Sequence, residues 1–317
     1  MSNDASSVSP IDGDATPVVV VGSVNLDLVA RVRDFPRPGE TVLGSDYEEA
    51  PGGKGLNQAL GSARHARTAL VAAVGDDPVA DTVIAYAATH EVDVSGVHRA
   101  SGLTGRALIA VAPDGENVII VSPLANEALT PEIVTAQLDR LRPAVVLAQY
   151  EVAEQALLAA ARWCSANTAR FVFNASPVRA IGAELLAACD PVVVNQAEGL
   201  ALLREAEAAR PVGTPGSRSA VREGAAWRPA DVAQRLLDVS TSVVVTAGGG
   251  GAYVADVDGV HHVAASARVI ALDSTGAGDE FAGVLAAALS AGSSLRDAAE
   301  AANDAAGRLV QIPRAER

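Results

Sequence analysis

The chain has 317 residues, 49% of them hydrophobic and 3% aromatic, with two cysteines and a formal net charge of −14. Acidity on that scale argues against a nucleic-acid partner but leaves room for a nucleotide as substrate. No apolar stretch reaches the roughly 18 residues of a membrane span, and Cys164 and Cys189 fit neither a disulfide framework nor a metal-ligand spacing, so a cytoplasmic protein without a membrane partner is expected.

Residues 1–16 are polar and rich in Ser and Asp, lack the basic and apolar regions of a signal peptide, and read as a disordered tail. Pro17–Val21 is an unbroken apolar run ending at Gly22, as expected of a strand buried on both faces. Just beyond it stand Asn25 and Asp27, two residues apart and so on one side of an extended chain, at the strand end where open α/β sheets bind ligands. Taken alone, the pair reads equally well as turn chemistry after a strand.

Residues 28–50 read as antiparallel strands. Next comes Gly52-Gly53-Lys54-Gly55-Leu56-Asn57-Gln58-Ala59. Of 24 basic residues only Lys54 is lysine and the rest are arginine, so this position reads as one that needs a compact ammonium instead of a planar fork. Helical periodicity then appears at about 55–66, 77–90, 131–141, 152–166, 196–207, 229–238, 278–291 and 295–310. Short apolar runs alternate with it at 69–74, 144–148, 171–173, 191–194 and 242–246. That order predicts an α/β fold, a parallel sheet with helices on both faces. Residues 105–123 and 252–264 read as hairpins turning at Asp114-Gly115 and Asp258-Gly259. Residues 210–228, rich in Pro, Gly, Ser and Arg, read as an exposed loop, and 265–272 as a strand.

Several strand ends carry polar groups. Glu151 follows the run at 144–148, where a carboxylate at a helix N-terminus is an equal reading. Asn174-Ala-Ser-Pro177 ends another run. Asn195-Gln-Ala-Glu198 is a strand-end Asn with a helix-start Glu, a pattern that also suits ordinary capping. Thr246-Ala-Gly248 opens a run of four glycines. Last, Asp273-Ser274-Thr275-Gly276-Ala277-Gly278-Asp279 runs straight into an apolar helix. Its small residues bare a helix N-terminus, a natural anion cradle. A carboxylate inside such a cradle makes sense as a base beside a transferring phosphoryl group; a helix cap is the plain alternative.

The Asp273–Asp279 heptapeptide resembles the C-terminal signature of the ribokinase-like family of sugar and nucleoside kinases. The block Gly52–Ala59 is similar to that of the ribokinases within it, and Gly22-Ser-Val-Asn-Leu-Asp27 is a third match in the family's order. The resemblance spans residues 17–312, leaving 313–317 as a C-terminal tail. It implies a three-layer sandwich with a mostly parallel central sheet and a small β-sheet lid from residues 28–50 and 105–123. The implied activity is phosphoryl transfer from MgATP to the primary hydroxyl of D-ribose. Asp279 would be the general base, Gly276, Ala277 and Gly278 the anion cradle, and Asn25, Asp27, Gly53, Lys54, Asn57 and Glu151 the sugar site. Asn195, Thr246, Gly248 and Asn303 would face the nucleotide, with Asn195 and Glu198 holding Mg²⁺ through water. Asp273 and Thr275 would supply part of a monovalent-cation (K⁺) site. The chain stops at Arg317, short of the loop with which the family usually completes that site, which argues against potassium activation. The resemblance also implies a homodimer through the lid.

Three departures stand out: Glu280 and Ala282 where ribokinases commonly have Thr and Asn, and Leu124-Ala125-Asn126 where they often carry Gly-Ala-Asn. Fructose, a 2-keto-3-deoxy acid or a nucleoside is the alternative substrate on the same fold, and a non-catalytic sugar or nucleotide sensor the alternative class. A nicotinamide dehydrogenase is disfavoured, because the first strand is not followed by Gly-x-Gly-x-x-Gly.

Overall fold

The computed structural model describes residues 17–208, 227–265 and 271–312. Its first half runs β1 (Val18–Val21), β2 (Asn25–Arg31), β3 (Asp46–Gly52), α1 (Lys54–Ala63), β4 (Thr68–Val74), α2 (Pro78–Thr89), β5 (Val92–Arg99), β6 (Gly105–Val111) and β7 (Asn117–Ser122). A 3-10 turn at Leu124–Ala128 leads to α3 (Pro131–Leu141), β8 (Val145–Gln149), α4 (Glu154–Asn167), β9 (Arg170–Asn174), α5 (Ala183–Ala188), β10 (Val192–Asn195) and α6 (Gln196–Ala208). The chain closes with α7 (Pro229–Leu236), β11 (Val243–Thr246), β12 (Ala252–Asp256), β13 (Gly259–Val263), α8 (Ala277–Ser290) and α9 (Leu295–Leu309).

Nine strands form the central sheet in the order β13-β12-β11-β10-β9-β8-β1-β4-β5, parallel except that β12 runs antiparallel to its neighbours β11 and β13. The valine runs account for it. Each such strand is buried on both faces, and β-branched side chains pack well on a pleated surface. Val19 and Val21 join the core under α3 to α7, while Val18 and Val20 face α1, α2, α8 and α9. The expected three layers follow from that alternation.

The second sheet has the order β3-β2-β6-β7. Both hairpins expected from the sequence are present, and a parallel β2–β6 pairing, from Asn25 against Gly105 to Arg31 against Val111, joins them into one lid. The lid is rooted where β2 leaves the core. There Asn126 accepts from the Val24 N–H at 2.9 Å and donates to Asn25 Oδ1 at 2.8 Å. Two elements were not expected: the edge strand β5 and the six-residue α5. The loop expected at 210–228 and the strand expected at 265–272 lie largely outside the described residues.

Leu124, at the position where ribokinases often have Gly, holds a left-handed φ of 51° and is 42% exposed. That conformation costs a residue with a Cβ about 1–2 kcal/mol. Leu124→Gly is therefore expected to stabilise the fold by about 0.5–1 kcal/mol after the glycine's larger unfolded-state entropy is subtracted. A thermal melt should show a Tm about 2 °C higher; a lower Tm would mean that the leucine side chain contributes more packing than its exposure suggests.

Candidate active site

The lid and the loop ahead of α8 enclose a cleft of about 750 Å³. Asn25, Asp27, Gly53, Lys54, Asn57 and Glu151 line one wall, and Asp273, Ser274, Thr275, Gly276 and Asp279 the other. The sugar-side and base-side residues expected from the sequence thus share one cavity.

Asn25 and Asp27 are the first inward-facing pair on β2, 2% and 7% exposed. Because Asn126 occupies Asn25 Oδ1, the Asn25 amide presents its N–H₂ to the cleft, so Asn25 offers a donor and Asp27 an acceptor. Gly53 turns the chain from β3 into α1 with φ 94°, a conformation side chains rarely adopt, and a Cβ there would sit 3.0 Å from the Asn25 nitrogen. That turn sets Lys54 and Asn57 on the first turn of α1, facing the cleft. Glu151 closes the same helix end: its Oε2 accepts from the Lys54 N–H at 3.1 Å and from Ser23 Oγ at 2.5 Å. The carboxylate therefore caps α1, a helix almost a hundred residues earlier in the chain, while still lining the cleft.

Burial pushes the Lys54 ammonium towards its neutral form. The carboxylates of Asp279, Glu151 and Glu198 outweigh that desolvation and raise its pKa above the ordinary lysine value. The cation is thus retained at neutral pH as the centre of an otherwise acidic cluster.

Asp279 lies in the first turn of α8. Its Oδ2 accepts from Asn57 Nδ2 at 3.3 Å and its Oδ1 from Gln58 Nε2 at 3.0 Å. Ahead of it Gly276 adopts φ 78° as the N-cap. Among the described residues no acceptor meets the N–H groups of Gly276, Gly278 or Asp279. A helix N-terminus with free donors and a positive dipole end is fitted to an anion. Asp273 accepts from the Thr275 N–H at 2.8 Å, and the loop is tied to the end of α9 through Val310 O.

Glu280 does not add its charge to this cradle. It is 7% exposed, packs against Gly61 of α1 and pairs with Arg64 at the end of that helix. Ala282 is fully buried in the core.

The residues expected on the nucleotide side lie outside this cleft, at neighbouring strand ends. Asn195 and Thr246 pair in register at the ends of β10 and β11. Asn195 and Glu198 cap each other, with 2.8 Å bonds from each backbone N–H to the other's side chain. Gly248 starts an exposed 3-10 turn, and Asn303 on α9 donates to Val263 O at 3.2 Å. Sequence reasoning did not single out Gln58, Gln149 or Ser23. The clearest available signal was an amide, Gln149, ending an all-apolar strand, since a buried amide needs partners.

Residues 15–315 match the model of the pfkB family carbohydrate kinases. The chain belongs to that family. It is 33% identical over 300 residues to a ribokinase of Staphylococcus aureus, covering 93% of both chains. The crystal structure of a ribokinase from Thermotoga maritima matches with a TM-score of 0.81 at 28% identity over 95% of each chain. A ribokinase from Cryptococcus neoformans in complex with ADP matches with a TM-score of 0.75 at 28% identity, over 94% of this chain and 95% of that one. The family expected from three sequence blocks is thereby established, and with it a ribokinase-like fold and an ATP-dependent carbohydrate kinase activity. Among the described residues no helix is long and apolar enough to cross a membrane.

Proposed function

We propose that this pfkB-family kinase phosphorylates the primary hydroxyl of D-ribose, with Asp279 as general base. The observation that carries the reading is the position of Asp279: a carboxylate at a helix N-terminus with free N–H donors, opening on the same cleft as Asn25, Asp27 and Lys54. An alcohol is a weak nucleophile. Asp279 accepts its proton as the new O–P bond forms, the bond between the β–γ bridging oxygen and the γ-phosphorus breaks, and ADP departs. The N–H groups of Gly276, Gly278 and Asp279 stabilise charge on the transferring group, whereas the Ala277 N–H, expected in the same cradle, donates to the Ser274 carbonyl at 3.2 Å. Asn25 donates to a sugar oxygen, Asp27 accepts from a hydroxyl, and Gly53, Lys54, Asn57 and Glu151 read the rest.

Asn195, Thr246, Gly248 and Asn303 form the nucleotide side in this reading; the complex of the Cryptococcus relative with ADP supports the presence of a nucleotide site. Mg²⁺, when bound, neutralises phosphate charge. Its donors here are Glu198 and Asn195 acting through water, since each already caps the other and Glu198 keeps one carboxylate oxygen for a water. Asp273 and Thr275 are the candidate part of a K⁺ site. Two copies pair lid to lid, supported by the exposed outer residues Leu108, Val118 and Ile120. The two buried, unpaired cysteines suit the cytoplasm.

ADP release across D-ribose, 2-deoxyribose, fructose, 2-keto-3-deoxygluconate and adenosine, with and without K⁺, tests the assignment. Turnover strongest on ribose is expected from the Gly52–Ala59 block. A preference for another member moves the substrate, and a folded protein with no turnover on any favours the sensor reading.

A further inference from the structure

Behind Asp279 lies a row of amides that phosphoryl transfer itself does not call for. Gln58 and Gln149 are fully buried and Asn174 is 8% exposed. Gln149 Nε2 donates to Gln58 Oε1 at 2.7 Å. Gln58 Nε2 donates both to Asp279 Oδ1 and to Asn174 Oδ1, each at 3.0 Å. Asn174 Nδ2 in turn donates to the Val193 carbonyl at 3.2 Å.

The direction of this row is dictated by its ends. A backbone carbonyl and an ionised carboxylate can only accept. Val193 therefore turns the Asn174 oxygen towards Gln58, and Asn174 and Asp279 together demand the Gln58 N–H₂. The Gln58 oxygen is then left facing Gln149, which must donate. Reversing any one amide would set oxygen against oxygen. Gln149 meets this demand at a cost: its own Oε1 is buried without a partner. The space for that oxygen exists because position 22 is glycine, where a Cβ would lie 2.0 Å from it.

We propose that Gln58 and Gln149 are positioning residues, a one-way amide chain that locks a donor onto Asp279 Oδ1 and so fixes the carboxylate for proton acceptance. The proposal rests on the kinase reading above. Gln149, at the end of β8, acts only through Gln58; Gln58 acts on Asp279; neither touches the sugar cleft. The chain ties the base to the ends of β8, β9 and β10 and not merely to its own helix.

A double-mutant cycle tests this with the full-length protein. Gln58→Met keeps length and volume but cannot donate, and kcat is expected to fall about 10- to 100-fold, the usual consequence of a misplaced catalytic group. KM for sugar and ATP should stay within about twofold, and ADP binding should be unchanged, because no substrate contact is lost. Gln149→Met leaves the buried Gln58 oxygen without its donor, so the Gln58 amide is held less firmly against Asp279, and kcat is expected to fall about 3- to 10-fold by the same misplacement. The double variant should be no slower than Gln58→Met alone, since residues acting in series do not add. Should Gln58→Met not fold, as judged by its melt, Gln58→Asn, which keeps the amide but draws it back from Asp279, replaces it in the cycle. Losses that multiply in the double variant, or that fall on KM with kcat intact, overturn the chain while the kinase reading stands. A wild type silent on every sugar overturns that reading and this proposal with it.

Discussion

Asp279→Asn is expected to lower kcat by about 10²–10⁴, the range that general-base removal typically costs. The substitution is nearly isosteric, and an asparagine oxygen can still accept from Gln58 Nε2 or Asn57 Nδ2, so the fold and the helix end should survive. What disappears is the group able to take a proton from the attacking hydroxyl. KM should therefore change little, and ADP should bind as to the wild type, giving equal losses in kcat and kcat/KM. Steady-state turnover with a parallel binding measurement reads all three quantities. An unchanged kcat would remove Asp279 from the reaction and leave it as a tie between α8 and α1 through Asn57 and Gln58.

Much of this arrangement was legible in the sequence, and what was not shares a cause. Valine runs such as Val18–Val21 and Val192–Val194 announce parallel strands because both faces are buried. Of the two lid hairpins, the one made by β6 and β7 is marked by its local turn at Asp114-Gly115. Strand β5 escaped because Val92-Asp-Val-Ser-Gly-Val-His-Arg99 carries polar residues and a glycine on a sheet edge, and α5 because six residues span under two turns. The parallel β2–β6 pairing that makes one lid of two hairpins is long-range and leaves no local mark. The site divides in the same way. Lys54 and Asp279 stand in local motifs, whereas the bond from Gln58 to Asp279 joins residues 221 positions apart. Glu280, a departure from the ribokinase pattern beside the anion loop, is placed by the helix itself: one residue along is a turn of 100°, which with the docking of α8 on α1 carries its carboxylate to Arg64 at the C-terminal end of α1.

That close docking of α8 on α1 yields the other large effect, at Gly283. In the proposed reading α8 carries the base, Asp279, and α1 carries Lys54 and Asn57 of the sugar site together with Gln58, which holds that base. They approach so closely that a Cβ on Gly283 would lie 2.5 Å from the Gln58 carbonyl oxygen and 2.7 Å from the Ser62 nitrogen. Both obstacles are backbone, so no rotamer change relieves the clash and α8 must move. Gly283→Ala adds one methyl group and improves intrinsic helix propensity by about 1 kcal/mol, yet overpacking here should cost about 1–3 kcal/mol and dominate. The displacement acts one turn from Asp279, on the face that holds it to Asn57 and Gln58. A shift of about 1 Å in a catalytic group can cost about 10² in rate. Gly283→Ala should therefore lower Tm and reduce kcat by up to about 10², while Asn25 and Asp27 on β2, the proposed sugar contacts, stay in place and KM moves less. Gly278→Ala, on the same helix with nothing within 4 Å of a Cβ, is the control for the Tm alone, since its N–H belongs to the proposed anion cradle. If Gly283→Ala gained stability with kcat intact, the helices would have room that their packing denies, and the rigid pairing of base and sugar site would have to be abandoned.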